Sequence, residues 1–404
     1  MSNTWAERFE NPLSARLRDP ATTGFLGLAL GAFAAFLAIP PLMARTITWP
    51  IVVGIVAAAL GIWTVSRGRK RLGYGAVASG LTGIGMGILA THSSTTNLNT
   101  VFTAALIAQM FTFSTPLVFG AIGGMFSERS GVVNVGLEGM MLMGAFWGVY
   151  GADKGGNWVV GLLVGMAAGA FLALVHAFFA IHLRADQIVG GVAVNFLALG
   201  ITGYFFFQIY HGNYIPQGVS VIPNVKIPFI QHSHFLGPAF GNLNLMVWVS
   251  FALVIVSYIV VFKTPIGLRI RACGEHPRAA DTVGINVYAI RYGCVILSGV
   301  LAALGGVYLS DGFGGGAFTD NMTAGRGFIA LAAMIFGNWR PGGAFAAALL
   351  FGFSTALAYR LPAYSASAAT LFQALPYVLT LIAVAGVIGR TVPPAADGKP
   401  YRKQ

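Results

Sequence analysis

About twelve apolar segments recur along the chain, and most of them are near 20 residues long. A helix of about 20 residues crosses about 30 Å of hydrocarbon, because each residue adds about 1.5 Å. Only 9% of the 404 residues are charged and 56% are hydrophobic, which excludes a protein with a water-facing surface all round. The sequence therefore predicts an all-α polytopic membrane protein with about 10–12 transmembrane helices. The segments lie at residues 22–43, 50–66, 72–91, 100–123, 132–151, 158–182, 188–210, 244–262, 287–309, 326–338, 342–360 and 367–389.

The positions of the basic residues predict how the chain crosses the membrane. If every segment crosses and the N-terminus lies inside, most of the 24 lysines and arginines fall in inside loops. Positive residues favour the cytoplasmic side, so the N-terminus, the C-terminus and residues 263–291 are predicted to be cytoplasmic. Because these charges lie in short loops instead of on one folded face, the net charge of +12 does not indicate nucleic-acid binding.

Glycine and cysteine usage bear on how the helices pack. The chain has 54 glycines, and Gly161, Gly165 and Gly169 lie on one face of a predicted helix, a spacing typical of close helix contacts in membranes. The two cysteines, Cys273 and Cys294, fall in a cytoplasmic loop and a membrane helix. Both are expected to be reduced, with no structural disulfide.

The chain is expected to have three parts. Residues 1–95 are predicted to form an N-terminal extension with about three transmembrane helices, residues 96–390 a transport core, and residues 391–404 a cytoplasmic tail. Within the core, glycine-rich polar stretches at 123–139 and 312–327 each lead into an apolar segment. Paired interrupted helices indicate two inverted repeats with a pathway at their interface. Chance similarity between glycine-rich segments is the alternative.

The longest run of charge lies in residues 263–284, between two apolar segments. Pro265 and Gly267 interrupt any helix that arrives from the first segment. Pro277 suits the first turn of a new helix, and Gly284 suits its end. The helix between them has about two turns and is too short to be stable alone in water. It is either docked against another protein at the membrane surface or an ordinary amphipathic connector.

Two carboxylates fall within apolar surroundings. Glu128 ends one apolar run, and Glu138 lies at the start of the next. A carboxylate at such a depth is costly unless it is paired, hydrated or functional, and Arg129 is available as a partner. The two glutamates either line a cavity or belong to a loop at the cytoplasmic surface, with a local interaction between Glu128 and Arg129.

Gln187 and Asn195 are two turns apart on one predicted helix face. Their amides are suited to hydrogen bonds with a sugar hydroxyl or a nucleobase edge. They are equally suited to hydrogen bonds between helices. The sequence leaves both interpretations open.

Several motifs are absent from the sequence. No phosphate loop of the form G-x-x-x-x-G-K-[S/T] occurs, so the chain is not expected to hydrolyse ATP itself. No cysteine and histidine spacing suits zinc, and no nucleophile elbow occurs, so no metal or catalytic residue is expected. His232 and His234 form an H-x-H pair without a third ligand, and a solvated loop is the favoured interpretation.

Three stretches carry a resemblance to a known family. Residues 126–146 (FSERSGVVNVGLEGMMLMGAF), 271–286 (RACGEHPRAADTVGIN) and 325–337 (GRGFIALAAMIFG) are similar to motifs of bacterial ABC importer permeases. That family includes the ribose and branched-chain amino-acid permeases, and the resemblance is strongest to its nucleoside branch, which depends on a basic membrane lipoprotein. The likeness covers about residues 105–390, so the N-terminal extension lies outside it.

The resemblance implies a complex in the bacterial inner membrane. Two permease chains, identical or paralogous, would join two ATPase subunits that bind ATP and Mg²⁺, with an extracellular lipoprotein that delivers the substrate. The resemblance places the following residues at the ATPase: Arg271, Gly274, Glu275, Pro277, Arg278, Ala280, Asp281 and Gly284. It places the following residues near the translocation pathway: Glu128, Asn134, Glu138, Gln187 and Asn195.

The predicted function is therefore that of a nucleoside importer subunit driven by a separate ATPase. An importer of ribose or a related sugar is the alternative within the same family. A proton-coupled secondary transporter that uses Glu128 and Glu138, or a passive channel, is the alternative from another class.

Overall fold

The structure, a computed structural model, describes residues 20–37, 48–92, 103–212, 219–233, 235–361, 374 and 391–403. Most of these residues are helical, and there are two short strands. The helices are α1 Pro20–Leu37, α2 Thr48–Ser66, α3 Lys70–His92, α4 Ala104–Arg129, α5 Leu137–Gly155, α6 Trp158–Ala177, α7 Gln187–Tyr210, α8 Pro228–Gln231, α9 Leu236–Phe240, α10 Leu245–Lys263, α11 Pro265–Glu275, α12 Pro277–Thr282, α13 Val287–Val307, α14 Arg326–Phe336 and α15 Pro341–Arg360. The strands are β1 Asn224–Lys226 and β2 Asn242–Asn244.

Among the described residues, seven helices are long and apolar enough to cross a membrane. This finding confirms the predicted all-α polytopic class. Every predicted apolar segment up to residue 360 contains a helix, and the segment at 367–389 lies outside the described residues. Helix α14 has only 11 residues, a length of about 16 Å at 1.5 Å per residue. It is therefore half the length of a membrane-spanning helix and agrees with the interruption expected in this part of the chain.

Contacts divide the chain into two compact units. The first comprises residues 1–107, 233–239 and 357–389, and the second comprises 108–232, 240–356 and 390–404. These bounds follow chain contacts and do not test the three predicted parts, which stay a prediction. The two repeats within the core also stay a prediction.

Helices α1, α2 and α3 of the first unit pack against one another. Glycine allows their backbones to approach closely: a Cβ atom at Gly61 would lie 2.7 Å from the Gly73 carbonyl oxygen, and one at Gly54 would lie 2.8 Å from that of Gly80. In a membrane, association of helices depends on such close packing because lipid tails are as apolar as the side chains.

Helices α5, α6 and α13 form the packed centre of the second unit. The predicted glycine face of α6 is buried in this contact. A Cβ atom at Gly161 would lie 2.6 Å from the Gly148 carbonyl oxygen, and one at Gly169 would lie 2.6 Å from that of Gly299. The prediction from the spacing of small residues is therefore confirmed for α6.

The connection from α10 to α13 contains two helices. Helix α10 ends at Lys263, as expected, but Pro265 then occupies the first turn of α11 instead of a loop. The Thr264 hydroxyl accepts a hydrogen bond from the Gly267 N–H at 3.2 Å and caps this helix. Pro277 begins α12, and Gly284 follows α12 with a φ of 83°, which favours glycine.

Candidate functional site

Glu138 binds the start of α14. Its carboxylate accepts hydrogen bonds from the backbone N–H groups of Gly325 at 2.7 Å and Gly327 at 2.6 Å. The first amides of a helix have no partner within the helix, and a carboxylate satisfies them with charge-assisted hydrogen bonds. Gly327 lies so close to Glu138 that no Cβ atom fits there. Glu138 therefore joins the first of the three sequence motifs to the third.

Glu128 and Arg129 bind the turn that follows α14. The Trp339 indole donates to Glu128 Oε2 at 2.6 Å, and Arg129 donates to the Trp339 carbonyl oxygen from Nη2 at 2.8 Å and from Nε at 3.0 Å. Asn338 and Trp339 have φ values of 53° and 51°, which are uncommon for residues other than glycine. The local interaction between Glu128 and Arg129 is replaced by a shared contact with this turn.

Helix α14 is thus held at both ends by the segment around α4 and α5. Glu138 binds its first turn, and Glu128 with Arg129 binds the turn after its last residue. The inner side of α14 is buried along its whole length, at Gly327, Ala330, Ala333 and Met334. A shift of the end of α4 would therefore also displace α14.

Three predicted pathway amides bind the non-helical backbone between α4 and α5. Asn134, which lies in this backbone, accepts from the Gly136 N–H at 3.1 Å and donates to the Ser298 hydroxyl of α13 at 2.9 Å. Gln187 accepts from the Val133 N–H at 2.8 Å. Asn195 accepts from the Gly139 N–H at 2.8 Å and also donates to the Val135 carbonyl oxygen at 3.0 Å. Such backbone is tolerated in a membrane when its polar groups have partners, and these amides supply them.

A cavity of about 230 Å³ opens beside the junction of Glu138 with α14. It brings together Glu138 and Asn195 but does not include Glu128, Asn134 or Gln187. The lining residues are Glu138, Gly139, Leu142, Val192, Asn195, Phe196, Leu199, Asn321, Gly325 and Phe328. The aromatic rings and amides of this set can stack on a planar ring and form hydrogen bonds with polar substituents.

The predicted ATPase-coupling residues divide into an inner and an outer set. Gly274 and Ala280 are buried, and Ala280 packs against Cys273 and Val287. At Gly274 the backbone of α11 touches the Arg129 carbonyl group, where no Cβ atom fits. The outer residues are exposed or half-exposed: Arg271, Glu275, Pro277, Arg278, Asp281 and Gly284. Val283, with 74% of its surface exposed, belongs with them, although its side chain alone gave no signal in the sequence.

Residues 391–403 pack onto the coupling segment, residues 263–291. The Ala396 N–H donates to the Gly274 carbonyl oxygen at 2.8 Å, and the Ala395 N–H donates to Glu275 Oε2 at 3.1 Å. Tyr401 is buried in the same cluster as Cys273 and Ala280. The sequence predicted only a cytoplasmic tail here, because proline, alanine and lysine do not by themselves indicate a docking site.

The buried side chain of Arg291 in α13 binds the tail. This side chain is 1% exposed and donates to the carbonyl oxygens of Lys399 at 3.1 Å and Ser130 at 3.2 Å. Its guanidinium group also lies over the Tyr401 ring. A buried guanidinium needs acceptors, and the tail supplies one of them. The tail is therefore part of the packed structure of this unit.

The sequence matches the family described as the branched-chain amino acid transport system permease component over residues 106–384. This match covers more than half of the chain. The chain belongs to this permease family. The resemblance carried by the three motifs is therefore confirmed, and the chain is a multi-pass membrane protein of the ABC permease class.

Individual relatives of the permease support the same assignment. The guanosine ABC transporter permease protein NupQ of Bacillus subtilis is 44% identical over 314 residues, covering 74% of this chain and 96% of the relative. The nucleoside ABC transporter permease protein NupC of Lactococcus lactis is 40% identical over 311 residues, with the same two coverages. The putative glucose ABC transporter permease protein TsgC13 of Haloferax volcanii is 35% identical over 263 residues, covering 64% of this chain and 78% of the relative. No solved structure matches the permease.

The described residues of the permease contain no group of three or more metal-binding side chains. His234, one of the pair considered in the sequence, lies outside the described residues. The metal alternative for His232 and His234 is therefore not tested by the structure.

Sequence reasoning missed Asp311, a fully buried carboxyl group in the π-helical turn that follows α13. Among the described residues, neither carboxyl oxygen has a hydrogen-bond donor in good geometry. The adjacent Ser310 hydroxyl instead points to the carbonyl oxygens of Gly306 and Val307. A Cβ atom at Gly161 would lie 3.0 Å from Asp311 Oδ2, so a glycine surface leaves room for the carboxyl group. Asp311 follows the apolar segment at 287–309 and precedes the glycine-rich stretch at 312–327, so its local pattern is that of a polar loop.

We expect Asp311→Asn to raise the unfolding temperature of the purified permease. Burying a carboxylate without donors costs more free energy than burying an amide of the same shape. Thermal unfolding in detergent would measure the difference, with Asp320→Asn, at an exposed residue before α14, as the control substitution. A lower unfolding temperature for Asp311→Asn would show that the carboxyl group is satisfied in the folded permease.

Asp397 brings the tail next to Glu128. Its carboxyl group interacts with that of Glu128 through a hydrogen bond. Burial raises the pKa of Asp397 to about 7, while hydrogen bonds with Glu128 and the Gly398 N–H and the charge of Arg291 act in the opposite direction. A solvated aspartate has a pKa near 4, so the docked tail binds more protons than a released tail between about pH 4 and pH 7.

We therefore expect docking of the tail to weaken as the pH rises from about 4 to about 7, the range over which Asp397 loses its proton. Loss of the Asp397 proton places a buried negative charge beside the Glu128 carboxyl group, which favours release. Hydrogen exchange of residues 391–403, corrected for intrinsic rates, would measure the change. Asp397→Asn should make the protection less dependent on pH over this range. Protection that increases with pH in the unaltered permease would contradict this prediction.

Proposed function

We propose that this chain is the permease subunit of an ATP-driven importer for nucleosides. The substrates named for two of its relatives, guanosine and nucleosides, support this substrate class. A nucleoside offers a planar base and a polar ribose. The cavity offers matching groups: the rings of Phe196 and Phe328 for stacking, and Asn195 and Asn321 for hydrogen bonds.

The single observation that carries the mechanism is the attachment of α14 at both of its ends. The coupling segment touches Arg129 at Gly274, Arg129 binds Trp339 after α14, and Glu138 binds Gly325 before α14. Gly325 and Glu138 also line the cavity. A displacement of α12 by an ATPase would therefore reach the cavity through a continuous set of contacts.

This arrangement suits alternating access driven from outside the chain. The ATPase subunits would bind ATP and Mg²⁺ and hydrolyse the nucleotide, so the permease itself would not be an enzyme. A second permease chain, identical or paralogous, would complete the pathway, and an extracellular lipoprotein would deliver the nucleoside. The excess of basic residues near the coupling segment supports a bacterial inner-membrane location with both termini in the cytoplasm.

The predicted pathway residues take two roles in this proposal. Glu138 and Asn195 line the cavity, where they are in reach of a substrate. Glu128 instead binds the Trp339 indole after α14, and Asn134 and Gln187 bind backbone N–H groups between α4 and α5. Among the predicted coupling residues, the exposed ones would meet the ATPase, and Gly274 and Ala280 would transmit the movement.

Uptake by reconstituted vesicles tests the proposal. The permease would be purified with the ATPase, second permease and lipoprotein of its own organism and supplied with labelled guanosine. We expect uptake only when ATP is present on the ATPase side and all subunits are included. Competition by excess ribose or glucose should leave this uptake unchanged.

Vesicles that contain the permease alone provide the decisive comparison. Uptake driven by a pH gradient without an ATPase would overturn the proposal in favour of a proton-coupled transporter. Downhill flux without any partner would indicate a channel. In the complete complex, inhibition of guanosine uptake by a simple sugar and not by other nucleosides would indicate a sugar importer of the same family.

A further inference from the structure

We infer that residues 391–403 and α12 together form the docking cleft of the permease, and that this cleft receives an acidic segment of the ATPase subunit. The inference rests on the proposed coupling role of α12 and extends it to a part of the chain that the sequence motifs do not include. It assigns the C-terminal tail as one of the two walls of the interface.

The tail has a fixed position next to α12. Three separate contacts hold it: Val392 to Asn338 at 3.0 Å, Ala396 to Gly274 at 2.8 Å and Arg291 to Lys399 at 3.1 Å. They join the tail to the turn after α14, to the end of α11 and to α13. A segment held at three places presents a defined surface instead of a flexible extension.

A cleft of about 590 Å³ lies between the tail and the start of α12. One wall contains His276, Pro277 and Arg278, and the other contains Lys399 and Arg402. This volume is large enough for several side chains of a partner. Ala280 and Tyr401, which pack together beneath it, fix the separation of the two walls.

The positive charges of the cleft favour an acidic segment of the partner. Arg278, Lys399 and Arg402 are all exposed, and no described carboxylate forms an ion pair with any of them. The one acidic residue of the lining, Glu275, already accepts a hydrogen bond from the Ala395 N–H. Lys399 Nζ donates to the Ala395 carbonyl oxygen at 2.8 Å, a contact that leaves its charge without a counter-ion. Cations without a carboxylate partner around a concave surface attract carboxylates and set the orientation of a partner. Because α12 lies in the same wall, an ATPase that meets α12 would also fill this cleft.

Charge reversal in the assembled complex tests the inference. The variant Lys399→Glu with Arg402→Glu changes exposed side chains only, so its unfolding temperature should equal that of the unaltered permease. We expect the ATPase to bind it about ten-fold more weakly at low salt, with a smaller difference at high salt. Arg69→Glu, an exposed charge in the loop between α2 and α3, is the matched control and should bind normally.

Two further measurements separate the outcomes. Val283→Glu changes an exposed residue of the coupling segment outside the cleft. If this variant loses the ATPase while the tail variant keeps it, the inference about the tail is wrong and the proposed function stands. If both variants keep the ATPase, the coupling assignment fails as well.

An anionic lipid headgroup is the other source of negative charge. The same binding measurement in vesicles of neutral phosphatidylcholine alone would distinguish it. The inference predicts that the effect of the tail variant persists there. An effect that occurs only when phosphatidylglycerol is added would assign the cleft to lipid and overturn the inference.

Discussion

Replacing Glu138 with alanine should abolish transport and strongly destabilise the permease. The substitution removes two charge-assisted hydrogen bonds, to Gly325 and Gly327, and leaves their amides unpaired at the start of α14. Hydrogen bonds to charged groups contribute about 1.5–3 kcal/mol each, so the loss should be about 3–6 kcal/mol in the free energy of unfolding. Thermal unfolding and nucleoside uptake by the complete complex would measure both effects.

Glu138→Gln makes this prediction more specific. An amide keeps the size of the side chain but can offer only one acceptor oxygen to the two N–H groups. We expect an intermediate loss of stability and little uptake at every pH. A proton-coupled role for Glu138 predicts a different result, in which the glutamine variant is fully stable and only its response to a pH gradient is lost. Normal stability of Glu138→Gln would therefore contradict a structural role for this carboxylate.

Gly274→Ala should uncouple ATP hydrolysis from transport. No Cβ atom fits at this position, because α11 lies directly against the Arg129 carbonyl group. The extra methyl group must push α11 away from the end of α4, at a cost of about 1–3 kcal/mol for overpacking. We expect the complex to assemble, because the exposed side of α12 is unchanged. ATP hydrolysis should continue, while uptake falls at least about ten-fold.

Gly293→Ala provides the control for this experiment. A Cβ atom at Gly293 of α13 would meet nothing within 4 Å, so the same chemical change has room there. Alanine is also about 1 kcal/mol more favourable than glycine within a helix, so stability should be equal or higher. If Gly274→Ala transports as well as Gly293→Ala, the contact between α11 and α4 carries no coupling.

Much of the fold follows from patterns that the sequence displays directly. The length of an apolar segment predicts a membrane helix, and the spacing of Gly161, Gly165 and Gly169 predicts the face on which α6 packs. Pro277 and Gly284 mark the limits of α12 because each suits only certain backbone positions. These features depend on residues close together in the chain, and sequence reasoning located all of them.

Contacts between distant residues could not be obtained in the same way. The sequence identified Glu128 and Glu138 as unusual, but Glu128 binds a residue 211 positions later and Glu138 one 187 positions later. Gln187 and Asn195 have the chemistry of substrate ligands and of structural hydrogen bonds alike, and only their backbone partners distinguish the two. The docking of Tyr401 and the burial of Asp311 depend on packing, for which a single sequence carries no signal.

Selective labelling can follow movement at the cavity of this permease. Burial raises the pKa of Cys273 to about 11, so its thiol stays protonated and unreactive at neutral pH. Cys294 is also buried. A cysteine introduced at Phe328, which lines the cavity and is partly exposed, would therefore react selectively with a water-soluble thiol reagent.

The rate of labelling at residue 328 during ATP turnover tests the central claim most directly. If movement of the coupling segment reaches the cavity through Gly274, Arg129 and α14, ATP should change this rate in Phe328→Cys. The change should disappear when Gly274→Ala is added, although ATP hydrolysis continues. An equal response to ATP with and without Gly274→Ala would contradict the account, since the cavity would then respond without the close contact between α11 and the end of α4.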